Sequence, residues 1–288
     1  MYSIKTIKVT IQLRQGSFIN NNNTVIIEGL PTSVKITKSG GDSKNKAVVT
    51  IQNMKLETIK QLTTLAFKRL ETYNNVIQID VGSQGGSLTT AFLGEITTSV
   101  PVIDSDGTLS LRIEALAGYY PNLLPTPPTS VQGSATIDEL MRGFATEAGY
   151  SYENKNISDS VANCVFIGSP ITKAKTLARQ TGIDLLIDDN KFTIQTLNAP
   201  KTGEVPLVNK DSGLLDYPSF SNDGIRCKCI YNEYLKVGGY FKLESILPHA
   251  TGEWQITKLS HSLEAYLPKS GAWETEITAV LPGGAENG

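Results

Sequence analysis

Histidine and cysteine are nearly missing from this chain: two histidines, His249 and His261, and three cysteines, Cys164, Cys227 and Cys229, stand among 288 residues. Three cysteines do not make a disulfide framework, and they predict assembly in a reducing cytosol. Neither histidine lies in an H-E-x-x-H or H-x-E pattern or beside a C-x-x-C, so no zinc site is spelled out. An excess of charge of one sign is also lacking. A formal net charge of -2 gives no strong field to hold DNA or anionic lipid. No apolar run approaches the ~20 residues of a spanning helix. The N-terminus, MYSIKTIKVTIQLRQ, lacks the apolar core of a signal peptide and reads as a strand. These absences predict a soluble chain with no membrane anchor.

Catalytic patterns are equally scarce. Asp104-Ser105-Asp106-Gly107 matches the start of a calcium loop, but the downstream ligands are missing, and Asp and Gly supply hairpin-turn chemistry directly. Gly82-Ser83-Gln84-Gly85-Gly86 has no G-K-[ST] and no following helix to cradle a phosphate, so it reads as a loop. No G-x-S-x-G elbow is present, and no two carboxylates are placed as an acid/base pair. His261 alternates with Leu259 and Leu263 and is expected to pack. Cys227 and Cys229 fall on one face of a strand as small buried hydrophobes. The expectation is therefore no catalytic, metal or cofactor residue, and no enzyme.

What the chain has is alternation. Ile7, Val9, Ile11 and Leu13 share one face, and so do Ala47, Val49 and Ile51; Ile77, Ile79 and Val81; and Leu109, Leu111, Ile113 and Ala115. Lys55 to Tyr73 breaks the pattern with Leu56, Ile59, Leu62, Ala66 and Leu70 at helical spacing. Residues 1–118 thus predict an antiparallel β module with one helix over about 55–73. A proline-rich stretch, 119–129, reads as an extended connector.

Residues 130–200 predict a small α+β unit. Thr136 and Glu139 form a capping box ahead of Ile137, Leu140, Met141, Phe144, Ala145 and Ala148, and Gly149 supplies the stop. Ser169 and Pro170 open a second helix, through Ile171, Ala174, Leu177 and Ala178, that ends at Gly182. Asp188 to Lys191 marks a hairpin. From 201 to 288 the chain returns to strands, with Ile225, Cys227, Cys229 and Tyr231 on one face and Trp273, Thr275, Ile277 and Ala279 on another. Periodicity favours a core position for Trp273 and leaves Trp254 undecided. The fold class is mainly β with a small α+β insertion between two β modules.

The stretch from Ser212 onward carries a resemblance. SGLL, the pair Tyr217-Pro218, a strand ending in Cys229-Ile230-Tyr231-Asn232, a turn at Val237-Gly238-Gly239-Tyr240 and late strands marked by Trp254 and Trp273 come in the order found in baseplate hub proteins of contractile phage tails and related injection machines. Phe92-Leu93-Gly94-Glu95-Ile96 resembles the family's F-x-G-x-I strand. Gly94, Gly213, Tyr217, Pro218, Gly238, Gly239, Trp254 and Trp273 are thus the signature positions. The resemblance implies two tube-type antiparallel β-barrel domains flanking a helix-containing middle domain. It also implies a homotrimer forming a pseudo-six-fold ring that joins the tail tube to the central spike and lines the DNA channel. Implied partners are further copies of the chain, the tail tube or tube-initiator protein, the spike and other baseplate proteins, with the tape measure among the candidates; DNA passes without specific binding. Such a protein is assembled in the bacterial cytoplasm and resides in the virion. Larger relatives fuse a spike or a cell-wall hydrolase, and the short tail after Trp273 is expected to leave those to other chains. Two other readings stand beside it: a carbohydrate- or receptor-binding β module and, last, a cell-wall hydrolase with dispersed carboxylates.

Overall fold

The computed structural model describes residues 4–14, 17–18, 21–40, 44–67, 75–103, 107–196, 205–221, 224–268 and 271–282. The alternating segments become β1 (Lys5–Gln12), β2 (Thr24–Glu28), β3 (Thr32–Ser39), β4 (Lys46–Gln52), β5 (Val76–Ser83), β6 (Leu88–Ile103) and β7 (Leu109–Leu116), with helix α1 (Leu56–Phe67) between β4 and β5. Their inward rows are dry: Ile7, Val9, Ile11, Val49, Ile51, Ile77, Ile79, Leu111 and Ile113 are all 0–1% exposed. Each such side chain contributes roughly 1.5–3 kcal/mol of transfer free energy. Helix α1 buries Ile59 and Leu62, but Leu56, expected on the same face, is exposed because it lies in the first turn. Residues 68–73 of the expected helix, and Asp104 to Asp106 of the expected turn, lie outside the described residues.

The proline-rich segment is not an extended connector throughout. Tyr119–Leu123 forms a short helix, α2, and Thr126–Ser130 forms strand β8. Pro121 fits because it sits in the first helical turn, where a backbone N–H has no intrahelical acceptor to lose. Strand β9 (Ser134–Thr136), helix α3 (Ile137–Ala148), β10 (Ser151–Asn154), β11 (Ser160–Ala162), β12 (Val165–Gly168), helix α4 (Pro170–Thr181), β13 (Ile183–Asp188) and β14 (Lys191–Thr196) follow. β8 pairs with β12, so these prolines belong to the middle module. The capping box at Thr136 and Glu139 is formed in both directions, and Gly149 and Gly182 end their helices at φ 74° and 66°. Between β13 and β14, Asp189 and Asn190 both take positive φ, 46° and 57°, as a two-residue hairpin turn requires.

The last third supplies β15 (Leu207–Val208), β16 (Ser219–Ser221), β17 (Gly224–Ile230), β18 (Tyr240–Leu243), β19 (Gly252–Ala265) and β20 (Trp273–Val280). The protein is mainly β with an α+β insertion, but the first and last modules are not separate sheets. They share one thirteen-stranded sheet, ordered β16-β17-β20-β19-β3-β4-β7-β6-β5-β1-β2, with β18 and β15 attached beside β19. Three buried clusters lie along the chain, and the first takes Leu263 and Ala265 from β19, far from the rest of its residues in sequence.

Candidate functional site at the joint between the modules

The joint between first and last modules is a strand pair. β19 is long enough to serve two neighbours along one edge: Gly252–Gln255 pairs with β18, and Lys258–Ala265 pairs with β3. Between the two halves the ladder with β20 slips at Ile256/Lys258. β6 has the same build, pairing with β5 through Leu88–Glu95 and slipping against β7 at Ile96/Thr98. At both slips a threonine hydroxyl donates across the strand pair: Thr97 Oγ1 to the Glu114 carbonyl at 3.0 Å and Thr257 Oγ1 to the Thr278 carbonyl at 3.1 Å. The two modules thus repeat one plan, β3-β4-β7-β6-β5 against β16-β17-β20-β19-β18, with the strands in the same chain order.

The middle module plugs this joint with its β13–β14 turn. Lys38 lies on β3 in phase with Val34 and Ile36, points inward and is 3% exposed. Its ammonium reaches the Asp188 carboxylate at 2.8 Å and Asp189 at 3.3 Å. Asn45 Nδ2 donates to Asp188 Oδ1 and to the Ile187 carbonyl, and the Leu93 amide donates to Asp189 Oδ1. Burial raises the Asp189 carboxyl above the usual range despite Lys38. Beside this cluster His261 is 4% exposed and shares a hydrogen bond of 2.8 Å between Nδ1 and Thr275 Oγ1. Burial, with Lys38 and Lys236 nearby, pushes its pKa down to about 3, so the ring is neutral. A second tie joins first and middle modules at Glu95, whose carboxylate accepts from the Tyr119 amide at 2.9 Å and from the Tyr150 hydroxyl at 3.4 Å. Burial raises the Glu95 carboxyl.

The signature positions are spread over the protein. Gly94 lies on β6, where a Cβ would stand 2.8 Å from the Phe92 ring and 2.9 Å from the Leu116 carbonyl. Gly238, at φ 77°, approaches Leu186 so closely that a Cβ would lie 2.7 Å from Cδ1; together with Gly239 it carries the last module onto β13. Gly213, at φ 105°, accepts from the Ile230 amide. Pro218 is buried while Tyr217 is 72% exposed.

Periodicity leaves Trp254 undecided and favours a core position for Trp273; the structure buries the first and half-buries the second. Trp254 is 5% exposed with its indole N–H on the Ala250 carbonyl. Trp273 is only half-buried and packs against the first module's core, since it opens β20 where the two modules meet. It lines a groove of about 690 Å³ with Tyr231 and Tyr234, and the Lys5 ammonium stands 5.7 Å over its ring. Cys227 and Cys229 are buried, and desolvation pushes each thiol up to about 12, away from the thiolate that chemistry would need. Among the described residues no three His, Cys, Asp or Glu side chains cluster as a metal set.

Sequence reasoning did not single out Lys38, Asn45 or Glu95. For Lys38 a signal existed: a cation in the inward register of a strand, which is stable only with a buried partner.

The family model described as baseplate hub gp41 matches residues 6–266. Among solved structures, the 43 kDa tail protein of prophage MuSo2 from Shewanella oneidensis is similar at 11% identity and TM-score 0.65, over 96% of this chain and 97% of that one. A tail protein from Neisseria meningitidis is similar at 7% identity and TM-score 0.66, again over 96% and 97%. The E. coli protein c3393, a type VI secretion component with structural similarity to the T4 tail proteins gp27 and gp5, is similar at 11% identity and TM-score 0.60, over 94% and 76%. No curated protein matches.

Proposed function

The chain belongs to the baseplate hub gp41 family, a family of structural phage tail proteins, and from that premise we propose that it trimerises into a pseudo-six-fold ring, joining the tail tube to the central spike and lining the DNA channel. The observation that carries this reading is the β3·β19 joint: two modules of one strand plan, fused edge to edge. Three chains supply six such modules, which suits a piece set between a six-fold tube and a three-fold spike. The similarity to a secretion component itself likened to gp27 and gp5 favours tube and spike as neighbours. The small net charge of -2 suits a channel that passes DNA without holding it. The function is geometric, and no side chain is assigned a chemical step.

The test is the mass of the full chain in solution, by light scattering coupled to size exclusion, followed by imaging. A particle of three times the 31.2 kDa chain, with six similar lobes around a hole, is expected. A monomer that persists at high concentration and in the presence of the tube and spike proteins would overturn the reading.

A further inference from the structure

We infer that one copy joins the next by laying β16 along the vacant half of β6, so that the β3·β19 joint made within each chain is repeated between chains. The inference rests on the ring reading above and adds which edges meet, in which register, and with which hydrogen bonds.

The vacancy comes first. In β19 the half beyond the slip, Lys258–Ala265, is occupied by β3. In β6 the equivalent half, Thr98–Ile103, has β7 on one side and, among the described residues, no strand on the other. The strand to fill it follows from the repeat. β3 corresponds to β16, because each opens its module's run and pairs with the next strand, β4 or β17. Carrying the registers across the sheet matches Ile36 with Phe220, Val34 with Pro218, and Gly29 with Gly213. Both glycines have positive φ, 75° and 105°, and Val34 and Pro218 are both buried. Among the described residues β16 is the end of the sheet, with no strand on its outer side.

Backbone directions agree. The Ala117 amide donates to the Asn45 carbonyl, so alternate residues of β7 from Leu116 downward turn to β6. Thr98, Val100 and Val102 therefore bond to β7, and Ser99, Pro101 and Ile103 turn their backbone groups to the vacant side. Likewise the Ile230 amide donates to Gly213, which places Ser219 and Ser221 toward β17 and turns Phe220 outward. Transposing Ile36↔His261 and Val34↔Leu263 then sets Phe220 opposite Pro101 and Pro218 opposite Ile103.

Each pair contains one proline, and in both the missing N–H lies on the side of the gap. The Phe220 amide can donate to the Pro101 carbonyl, and the Ile103 amide to the Pro218 carbonyl, while neither reverse bond exists. The two edges are thus complementary half-ladders. Either proline would leave gaps against an ordinary strand, which restricts random edge pairing. The side chains fit the same reading. Within the chain, Ile36 is 0%, His261 4% and Leu263 0% exposed; at the vacant joint Phe220 is 55% and Ile103 73% exposed. The remaining edge of the last module, β15, is closed: Ser212 Oγ donates to the Leu207 carbonyl and accepts from the Asn209 amide, both at 2.8 Å.

The test is disulfide trapping in the full chain. Phe220→Cys with Pro101→Cys is oxidised mildly and compared with Phe220→Cys with Val100→Cys, whose side chain points to the opposite face, and with the unsubstituted chain, whose own cysteines are buried or half-buried. The expected result is a covalent ladder ending at three chains, at least tenfold above both controls. Phe220→Asp, at an exposed position that the fold does not depend on, is expected to weaken self-association by about a hundredfold. An oligomer of unchanged mass with no trapped species, or with Phe220→Asp without effect, overturns this inference and leaves the ring standing. A monomer in every sample, at high concentration and with the tube and spike proteins present, overturns both.

Discussion

Lys38 is the charge on which the three-module joint turns, and replacing it with methionine is the most informative perturbation of the fold. The change keeps the length of the side chain and removes the cation that faces Asp188 and Asp189 at 2.8 and 3.3 Å. Breaking a buried pair on one side costs about 3–5 kcal/mol, because the partner stays desolvated and unpaired. Here the lysine side chain is 4% exposed but the carboxylates are 33% and 27% exposed, so water offsets part of the loss and about 3 kcal/mol is expected. That is about a hundredfold in an opening equilibrium. A chain with three cores need not unfold in one step, so a global melting curve is a poor reporter. Native-state hydrogen exchange is better, because the Leu93 amide donates to Asp189 at 3.1 Å and is freed when the β13–β14 turn undocks. Its exchange is expected to quicken about a hundredfold at pH 7. The pH dependence follows in sign. The Asp189 pKa is already raised by burial and rises further without Lys38. A carboxyl raised further in the folded variant than in the parent takes up its proton more readily on acidification, so the variant's deficit relative to the parent shrinks as pH falls. Asp188→Asn and Asp189→Asn added to Lys38→Met are expected to restore much of the loss. A change of less than threefold in Leu93 exchange, with no dependence on pH, would refute the argument.

Two further outcomes follow from the same joint. His261 is held neutral with its pKa down near 3 against about 6.5 unfolded, so below pH 6.5 the unfolded chain binds the extra proton and stability falls with pH. The loss is about 2 kcal/mol by pH 5. His261→Asn is expected to flatten that slope in denaturant titrations, and an unchanged slope would show that the imidazole is not the group responsible, Glu95 and Asp189 acting with the opposite sign. Gly238→Ala places a Cβ 2.7 Å from Leu186 Cδ1 at a φ of 77°, and about 1–3 kcal/mol is expected from αL strain and the clash together. Leu186→Ala should return the clash portion in a double-mutant cycle, and additive losses would show that the two do not touch.

Much of the fold was legible where a local rule specified it. The capping box at Thr136, the proline after Ser169 and the glycines at 149 and 182 set helix ends through bonds within a few residues, and the Asp189-Asn190 turn did the same for its hairpin. Two failures were also local. The proline run 119–129 reads as extended because φ is fixed and donors are missing, yet Pro121 occupies a first helical turn where the missing N–H costs little. Alternation places Trp273 on the core face, and it does pack against the first module's core, but alternation does not say where the core ends along the strand, which leaves the ring half-buried. The joint was hidden for a different reason. β3 and β19 lie more than two hundred residues apart in the chain, and a strand edge carries the same period-2 pattern whether its neighbour is close in sequence, distant or in another molecule. Lys38 was a partial exception, since an inward charge demands a partner, but nothing near it identifies Asp188.

If the proposed joint forms, the repeat of one strand plan implies that the two joints differ in strength. β3 meets β19 within one chain, where the tether supplies an effective concentration that a separate molecule reaches only at high protein levels. That joint has a regular ladder, the Lys38 cluster and the middle module packed on it. The proposed joint between chains has none of these additions: Pro101 stands where His261 stands in the other copy, and each pair keeps half its hydrogen bonds. Such a contact would be weak alone, and on the proposed reading it becomes favourable when three of them close a ring and no sheet edge is left over at β6 or β16. In the proposed ring, closure would make the third contact intramolecular, so assembly would be all-or-none and free chains would not polymerise along exposed edges beforehand. On this proposal the same prolines that limit each contact would keep the unassembled chain from pairing with the wrong strand, and symmetry would supply what each contact lacks.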